Sequence, residues 1–268
     1  MDLGVDIRRV LRSPERVFEL RVQFSVTENL AVLYGPSGSG KSVTLQAIAG
    51  LLRPDAGSIR FGDAVLFDAA AGIDVSARRR GIGYVFQDYA LFPHWTVYHN
   101  VAAALAPLMG HRLRPEHRDR VDALLAAFEL TPVAGSYPSQ ISGGQRQRTA
   151  LARALAAEPR LLLLDEPFNS LDTGLRARMR QEVLQVWERF QVPILLITHD
   201  DADVAVFGSQ VIRIEDGRIV GQQTTRHGDA ARPLRAPLTC GPAGPGRVSA
   251  DRDRERTSSD RRPWADRL

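Results

Sequence analysis

The sequence predicts an α/β fold with a mainly parallel sheet, an N-terminal antiparallel β subdomain and a helical insertion. Three patterns support this prediction. Short apolar runs that end in polar or glycine-rich segments are typical of buried parallel strands, and segments of helical periodicity lie between them. The first thirty residues instead alternate loosely between apolar and polar side chains, as antiparallel strands do. Strands that alternate with helices indicate a sheet covered by helices.

The predicted strands follow one another in chain order. Val17–Phe24 alternates in the manner of an antiparallel strand, and Leu30–Tyr34 is a short apolar run that ends in a glycine-rich loop. Further apolar runs predict strands at Gly83–Phe86, Leu161–Leu164 and Pro193–Ile197. Together these runs make up the predicted sheet.

The predicted helices and the limits of the folded body come from the remaining segments. A helix is predicted at Ser42–Leu52, stopped by the turn-like segment Arg53–Gly57, and residues 95–158 are mostly helical in pattern. We assign residues 1–223 to one folded domain, with 95–158 as its helical subdomain. Residues 224–268 are rich in Arg, Pro, Gly, Ser and Asp, and their apolar residues are isolated. We therefore predict a disordered basic tail there.

The charge distribution argues against a nucleic-acid partner. The formal net charge is +4, but residues 224–268 hold ten Arg and six acidic residues, which leaves 25 basic and 25 acidic residues in the body.

No apolar run approaches the roughly 20 residues of a membrane span, and Met1–Gly4 does not start a signal peptide. A single cysteine, Cys240, excludes an internal disulfide. These features predict a cytoplasmic protein.

A phosphate-binding motif, G-x-x-x-x-G-K-[ST], lies between a predicted strand and a predicted helix. Its Lys41 is the only lysine of the chain, which indicates a site where a compact ammonium is required. We expect the loop amides and Lys41 to bind the phosphates of ATP, and Ser42 to hold Mg²⁺. The predicted ATP-binding residues are Gly35, Pro36, Ser37, Gly38, Ser39, Gly40, Lys41 and Ser42.

Two adjacent carboxylates end the apolar strand Leu161–Leu164. Asp165 is placed to bind Mg²⁺, while Glu166 points elsewhere and is predicted to polarise the attacking water as general base. An acidic pair at the end of a strand indicates little by itself, but beside a phosphate loop it predicts a P-loop ATPase.

The segment Ile141–Arg148 resembles the signature sequence of ATP-binding cassette (ABC) proteins, L-S-G-G-Q followed by a basic helix, with Ile141 in place of the usual Leu. Its serine hydroxyl and glycine amides would form a second anion-binding helix start. In this family that helix start faces the γ-phosphate of the opposite subunit, so the resemblance implies a head-to-tail dimer of two copies. The signature residues are Ser142, Gly143, Gly144 and Gln145.

Three further matches follow the order of the same family. Gln87 resembles the glutamine that reaches Mg²⁺ and the attacking water, and Asp172 resembles the aspartate of the loop that contacts the partner subunit. His199 resembles the switch histidine at the γ-phosphate. The resemblance therefore implies catalytic roles for Glu166, His199 and Gln87, and Mg²⁺ binding by Ser42, Gln87 and Asp165.

The sequence departs from the family pattern in places outside the phosphate motifs. The aspartate loop reads Asn169-Ser170, where Ser-Ala or Ser-Asn is commoner, and Asp203 stands where a glutamate is expected. Phe18 is the nearest candidate for the aromatic residue that stacks on adenine. We therefore expect the phosphate chemistry to be retained.

The segment Asp88–His94 resembles the version found in importers for sulfate, molybdate, polyamines and sugars. In such importers this region receives a helix of the permease, and exposed apolar side chains would mark that contact. The resemblance implies a peripheral protein on the cytoplasmic face of the cell membrane, with permease subunits as partners and a solute-binding protein as an indirect one. The apolar candidates are Tyr89, Leu91, Phe92 and Trp95.

Among importers, the ATPases of molybdate uptake are the nearest likeness, on Leu45–Leu51 and Asp88–His94. That family usually continues into a small C-terminal β-domain that binds the oxyanion, whereas no β pattern follows residue 223. Either the domain is absent or the reading frame has shifted.

Alternative functions are the import of sulfate, polyamines or sugars, and export. A DNA-maintenance ATPase of the same superfamily would carry a long coiled coil between the glutamine and signature motifs. The interval from Gln87 to Ser142 is too short for one and lacks sustained heptads. A translation-associated cassette protein would carry two cassettes in one chain.

Overall fold

The computed structural model describes residues 1–14, 17–105, 113–169 and 173–224, with only the backbone of Thr173. In these ranges the chain forms one mixed sheet with helices on both faces. The strands are β1 (Leu3–Arg12), β2 (Val17–Val26), β3 (Leu30–Tyr34), β4 (Ala56–Phe61), β5 (Ala64–Asp68), β6 (Ile73–Asp74), β7 (Ile82–Val85), β8 (Leu161–Asp165), β9 (Ile194–Thr198), β10 (Gln210–Glu215) and β11 (Arg218–Thr224). The helices are α1 (Lys41–Ala49), α2 (Val97–Ala102), α3 (Pro115–Ala127), α4 (Gly143–Ala156), α5 (Thr173–Phe190) and α6 (Asp201–Phe207).

The sheet divides into a parallel part and an antiparallel part. Its order is β6-β5-β4-β1-β2-β11-β10-β3-β9-β8-β7. The parallel part consists of strands β10, β3, β9, β8 and β7. In the antiparallel part, β1 pairs with both β2 and β4, and β4 also pairs with β5. The predicted fold class, including the antiparallel N-terminal subdomain, is confirmed.

The parallel strands are buried on both faces. All five residues of β8 and all five of β9 are buried, as expected for strands covered by helices on each side. On one face Leu163 packs in the same cluster as Leu45 of α1. On the other, Leu164 packs with Val183 of α5 and with the helical insertion. Each buried leucine contributes about 1.5–3 kcal/mol, so this part of the sheet is a firm support for the loops that follow its strands.

The helical insertion consists of α2, α3 and α4. Thr96 begins α2, where its hydroxyl accepts from the amide of His99, and Ser142 begins α4 in the same way. Both are the polar N-cap residues that helix starts favour. Between residues 95 and 158, the regular elements that the structure describes are helices. Across the described ranges, no helix is long and apolar enough to cross a bilayer.

Helix α1 is shorter than predicted from the sequence. The prediction extended to Leu52, but the helix ends at Ala49 because Gly50 takes a left-handed conformation (φ 78°) and its amide turns back to Ala47 O. Glycine just after the last turn is a common helix terminator. The buried guanidinium of Arg80 then donates to the carbonyls of Ala47 and Ile48, which stabilises the negative end of the helix.

The described chain ends at Thr224, the last residue of β11. The predicted boundary at residue 223 therefore lies within the final strand, and the predicted tail beyond Thr224 lies outside the described residues. Its assignment stays a prediction.

Candidate functional site

The phosphate loop connects β3 to α1, at the carboxyl edge of the parallel strands. Gly40 begins α1 with φ 102°, and no side chain caps the helix start. At this φ an L side chain is strained, and a Cβ atom would lie 2.6 Å from the end of the Leu20 side chain, which would have to move. The conformation leaves the first amides of α1 without capping partners, which is the arrangement that binds anions at helix starts.

Lys41 extends into this loop and is buried, with 3% of its side chain exposed. Its ammonium donates to the carbonyls of Gly35 (2.8 Å) and Pro36 (2.9 Å) and lies 3.3 Å from Oε1 of Glu166. A buried charge is tolerated only with such partners. The loop therefore holds a single positive charge at its centre.

Ser42 and Asp165 face each other across the loop. The Ser42 hydroxyl donates to Oδ1 of Asp165 (3.0 Å), and the Tyr84 hydroxyl donates to Oδ2 (2.8 Å). Burial raises the pKa of the Asp165 carboxyl, while the hydrogen bonds from Tyr84 and Ser42 act in the opposite direction. Burial also raises the pKa of Tyr84, so this phenol stays a proton donor.

The Ser42 and Asp165 pair fits Mg²⁺. This ion takes oxygen ligands and is commonly bound by one or two protein groups together with phosphate oxygens. A hydroxyl and a carboxylate oxygen 3.0 Å apart, next to the phosphate loop, supply such ligands. Gln87, the third predicted ligand, lies two residues beyond β7, which pairs in parallel with β8. It is thus at the same edge of the sheet, and its side chain is exposed.

Glu166 faces a different set of groups from Asp165. It has a left-handed backbone conformation, φ 44°, which is uncommon for a residue other than glycine and often marks a functional position. Oε2 accepts from the Asn169 amide and lies 3.6 Å from Nδ1 of His199. With Lys41 at Oε1, this carboxylate lies between the phosphate loop and the end of β9.

His199 follows β9 and is 44% exposed, beside the nearly buried Glu166 side chain. The carbonyl of the preceding Thr198 accepts from the Gly35 amide at 3.4 Å. The structure thus brings Lys41, Ser42, Asp165, Glu166 and His199 together around one loop.

Two of the signature residues, Ser142 and Gln145, cap the start of α4 reciprocally. Ser142 Oγ accepts from the Gln145 amide (3.3 Å), and Gln145 Oε1 accepts from the Ser142 amide (2.9 Å). This reciprocal pair is a capping box, and it leaves the Ser142 side of the helix start exposed. Gly144 packs towards Met179 of α5. Asp172, the predicted dimer contact, lies outside the described residues.

Sequence reasoning missed two groups of the site. Tyr84 binds Asp165, and Asn169, noted above only as a departure from the family pattern, donates to Glu166. Because side chains alternate between the two faces of a strand, the sequence could have placed Tyr84 on the face of Ile82, which is also the face of Leu163 in β8. Phe18, the candidate adenine contact, has a ring atom 3.1 Å from a Cβ built on Gly40, so it lies against the phosphate loop.

A family model described as ABC transporter matches residues 20–169. The chain belongs to the ABC transporter family. As a member of this family the chain is an ATPase, and one of its solved relatives is an ATP-binding cassette in a post-hydrolysis state.

Three curated relatives are named as import proteins. The chain is 41% identical over 203 residues to the molybdate/tungstate import ATP-binding protein WtpC of Archaeoglobus fulgidus, covering 76% of this chain and 80% of WtpC. It is 42% identical to the sulfate/thiosulfate import ATP-binding protein CysA 2 of Shewanella oneidensis, covering 74% and 55%. It is 46% identical to the Fe(3+) ions import ATP-binding protein FbpC of Pseudomonas fluorescens, covering 70% and 52%. The chain thus spans about half the length of the sulfate and iron relatives.

A solved structure has the same fold. The dimeric post-hydrolysis state of the ATP-binding cassette MJ0796, bound to ADP and Pi, superposes with a TM-score of 0.69 at 30% identity. The match covers 84% of this chain and 99% of that one.

Proposed function

We propose that this ABC protein is the ATP-hydrolysing subunit of an importer, which couples ATP binding and hydrolysis in a head-to-tail dimer to uptake of a small solute. The observation that carries the ATPase part is the position of Glu166, between Lys41 at 3.3 Å and His199 at 3.6 Å. A carboxylate beside the ammonium of the phosphate loop would lie near the γ-phosphate of a bound ATP molecule, where it could accept a proton from water.

Each residue of the site has a distinct part in this proposal. The loop amides and Lys41 bind the phosphates and compensate their charge. Ser42, Asp165 and Gln87 would hold Mg²⁺, which neutralises charge on the phosphate oxygens. Glu166 accepts the proton of the attacking water, and His199 donates towards the γ-phosphate.

A second copy of the chain completes the proposed site. Ser142 and the following amides form an exposed anion-binding helix start whose capping contacts are all internal. The solved relative MJ0796 is dimeric and binds ADP and Pi. We therefore propose that the signature residues of each subunit bind the γ-phosphate held by the other, with Asp172 in the contact.

An exposed aromatic pair supports a permease partner. Phe92 and Trp95 are 45% and 42% exposed, and their ring centroids are 4.6 Å apart. Tyr89, a candidate for the same surface, is instead 5% exposed and belongs to the core. The buried amide of Asn100 binds the carbonyls of Phe92 and Trp95, which holds the pair in place. Large exposed aromatic residues on a fixed loop are typical of a docking surface.

The proposed solute is molybdate or a related oxyanion. Two of the three relatives described above carry oxyanions in their names, molybdate or tungstate and sulfate or thiosulfate, while the third is named for iron. Such a system places the cassette on the cytoplasmic face of the membrane, beside its permease, with a solute-binding protein outside.

The test measures solute uptake by cells in which the gene for this chain is replaced by a variant. We expect the Glu166→Gln variant to abolish uptake of radiolabelled molybdate and to leave sulfate uptake unchanged. Glu188→Gln makes the same chemical change on the exposed face of α5, so it should support normal uptake. Loss of sulfate uptake alone would favour the sulfate alternative, and normal uptake of both ions would contradict oxyanion import.

We also predict that residues after Gln223 contribute little to the cassette. Truncation there removes only Thr224 from β11, and the segment beyond it has no periodic apolar face to bury. The melting temperature and the ATPase rate should therefore stay nearly unchanged.

Limited proteolysis separates this prediction from its rival, a regulatory oxyanion domain. We expect early cleavage between Arg247 and Arg262, with or without molybdate. Protection by molybdate or tungstate, or a large loss of stability on truncation, would show a folded regulatory domain instead.

A further inference from the structure

Arg180 of α5 joins two carboxylates that follow His199 in the chain, Asp200 and Asp203. Its side chain is 11% exposed, and Nε donates to Oδ1 of Asp203 at 2.6 Å while Nη2 donates to Oδ2 of Asp200 at 2.7 Å. The planar guanidinium presents these donors in a fixed fork, which a lysine ammonium cannot reproduce. One side chain therefore fixes the spacing between two carboxylates of the β9–α6 junction.

This spacing determines how the chain passes through His199. The second oxygen of Asp203 accepts from the Thr198 hydroxyl at 2.5 Å, and that hydroxyl accepts from the Asp200 amide at 3.0 Å. The bond between the Asp200 amide and the Thr198 hydroxyl closes a tight turn around His199, the residue between Thr198 and Asp200. Thr198 and Asp203 are 1% and 3% exposed, so water does not compete for these bonds.

The same guanidinium also contacts the chain that leaves Glu166. It lies 5.8 Å from the ring centroid of Phe168, two residues after Glu166. Phe168 in turn stacks on Phe207 of α6, with centroids 5.9 Å apart and an interplanar angle of 14°. Arg180 is therefore in contact with both segments that bring Glu166 and His199 to the site.

We propose that Arg180 is a positioning residue for ATP hydrolysis, which acts through Asp203 and Thr198 to hold His199 beside Glu166. The inference rests on the proposed catalytic roles of those two residues. Asp203 stands where the family pattern led us to expect a glutamate, and the shorter carboxylate still binds Arg180 and Thr198 together. Because Arg180 touches neither the phosphate loop nor Lys41, it should affect turnover and not ATP affinity.

A double-mutant cycle tests this role. We expect Arg180→Lys to lower kcat by about tenfold or more, since small misplacements of catalytic groups have effects of that size, with the ATP Kd within about twofold of wild type. In a His199→Ala background, the same change should have no further effect on kcat, because residues that act as a unit are not additive. Arg178→Lys is the matched control, since this residue of the same helix is 70% exposed.

A second pair of variants covers the case in which Arg180→Lys does not fold. Thr198→Val removes the hydroxyl and should reproduce the loss of kcat, and Thr198→Ser should restore most of it. The positioning role would be overturned if the Arg180→Lys variant had a normal kcat, or if its Kd for ATP rose in step with the fall in kcat. It would also be overturned if the kcat losses of Arg180→Lys and His199→Ala multiplied in the double variant. A His199→Ala variant as active as wild type would overturn it as well. A wild-type chain that does not hydrolyse ATP would instead contradict the proposed function itself.

Discussion

Glu166→Gln should lower ATP hydrolysis by on the order of a hundredfold or more while ATP still binds. The amide has nearly the same size as the carboxylate but cannot accept the proton of the attacking water. Lys41 retains its bonds to the carbonyls of Gly35 and Pro36 in this variant, so the phosphate loop should keep its shape. The lost negative charge near the γ-phosphate should even favour the ATP-bound state.

Two measurements check this expectation. Steady-state ATPase assays give the loss of turnover, and size-exclusion chromatography with ATP should show the variant as a trapped dimer. Glu188→Gln, on the exposed face of α5, is the control and should hydrolyse ATP normally. Hydrolysis near the wild-type rate in Glu166→Gln would mean that another group is the base.

Four strands of the parallel part, β3, β7, β8 and β9, could be predicted because they are short, largely apolar runs. Leu161–Leu164 and Leu30–Tyr34 are strands in the structure, and their polar ends form the site because the carboxyl ends of parallel strands meet at one edge. The phosphate loop was predictable for a related reason, since its glycines and its lysine follow from the backbone and the charge that phosphate binding needs.

The antiparallel hairpins were harder to predict. Strand β4 buries only Ile59 and Phe61, and β11 alternates between partly buried and exposed residues, so neither has a long apolar run. In β10 the run Val211–Ile214 is interrupted by Arg213, which is explained only in three dimensions, where its guanidinium lies 5.8 Å from the ring centroid of Tyr34. One-sided strands of this kind depend on neighbours that are distant in sequence.

The charged network around His199 shows a second limit of sequence reasoning. Arg180 and Asp203 are 23 residues apart, and the chain contains 35 Lys and Arg and 31 acidic residues. The choice of partner depends on how α5 packs against the β9–α6 junction. Periodicity and motif spacing carry no information on that packing. The contact of Glu166 with Asn169 is different, because it is local: both residues lie in the turn after β8, where Glu166 has a left-handed conformation.

Lys41→Ala should weaken ATP binding by about tenfold to a hundredfold, the range expected when a hydrogen bond to a charged group is lost. The ammonium is the positive charge inside the phosphate loop, with two carbonyl partners and Glu166 nearby. Its removal leaves the phosphates without this compensation and leaves the Glu166 carboxylate, 12% exposed, without its cation. Nucleotide titration with the purified chain measures the change in Kd, and thermal unfolding shows whether the loop variant stays folded.

Lys41→Arg should not restore this affinity, although it keeps the charge. The lysine side chain is 3% exposed, and its single nitrogen lies 2.8 and 2.9 Å from the carbonyls of Gly35 and Pro36. A planar guanidinium needs more room and points its donors in fixed directions, so it would displace the loop or the phosphate. Arg53→Ala removes a cation that is 70% exposed just beyond α1 and should bind ATP normally. An arginine variant with wild-type affinity and turnover would show that the site needs only a positive charge, and the explanation for the single lysine would then be wrong.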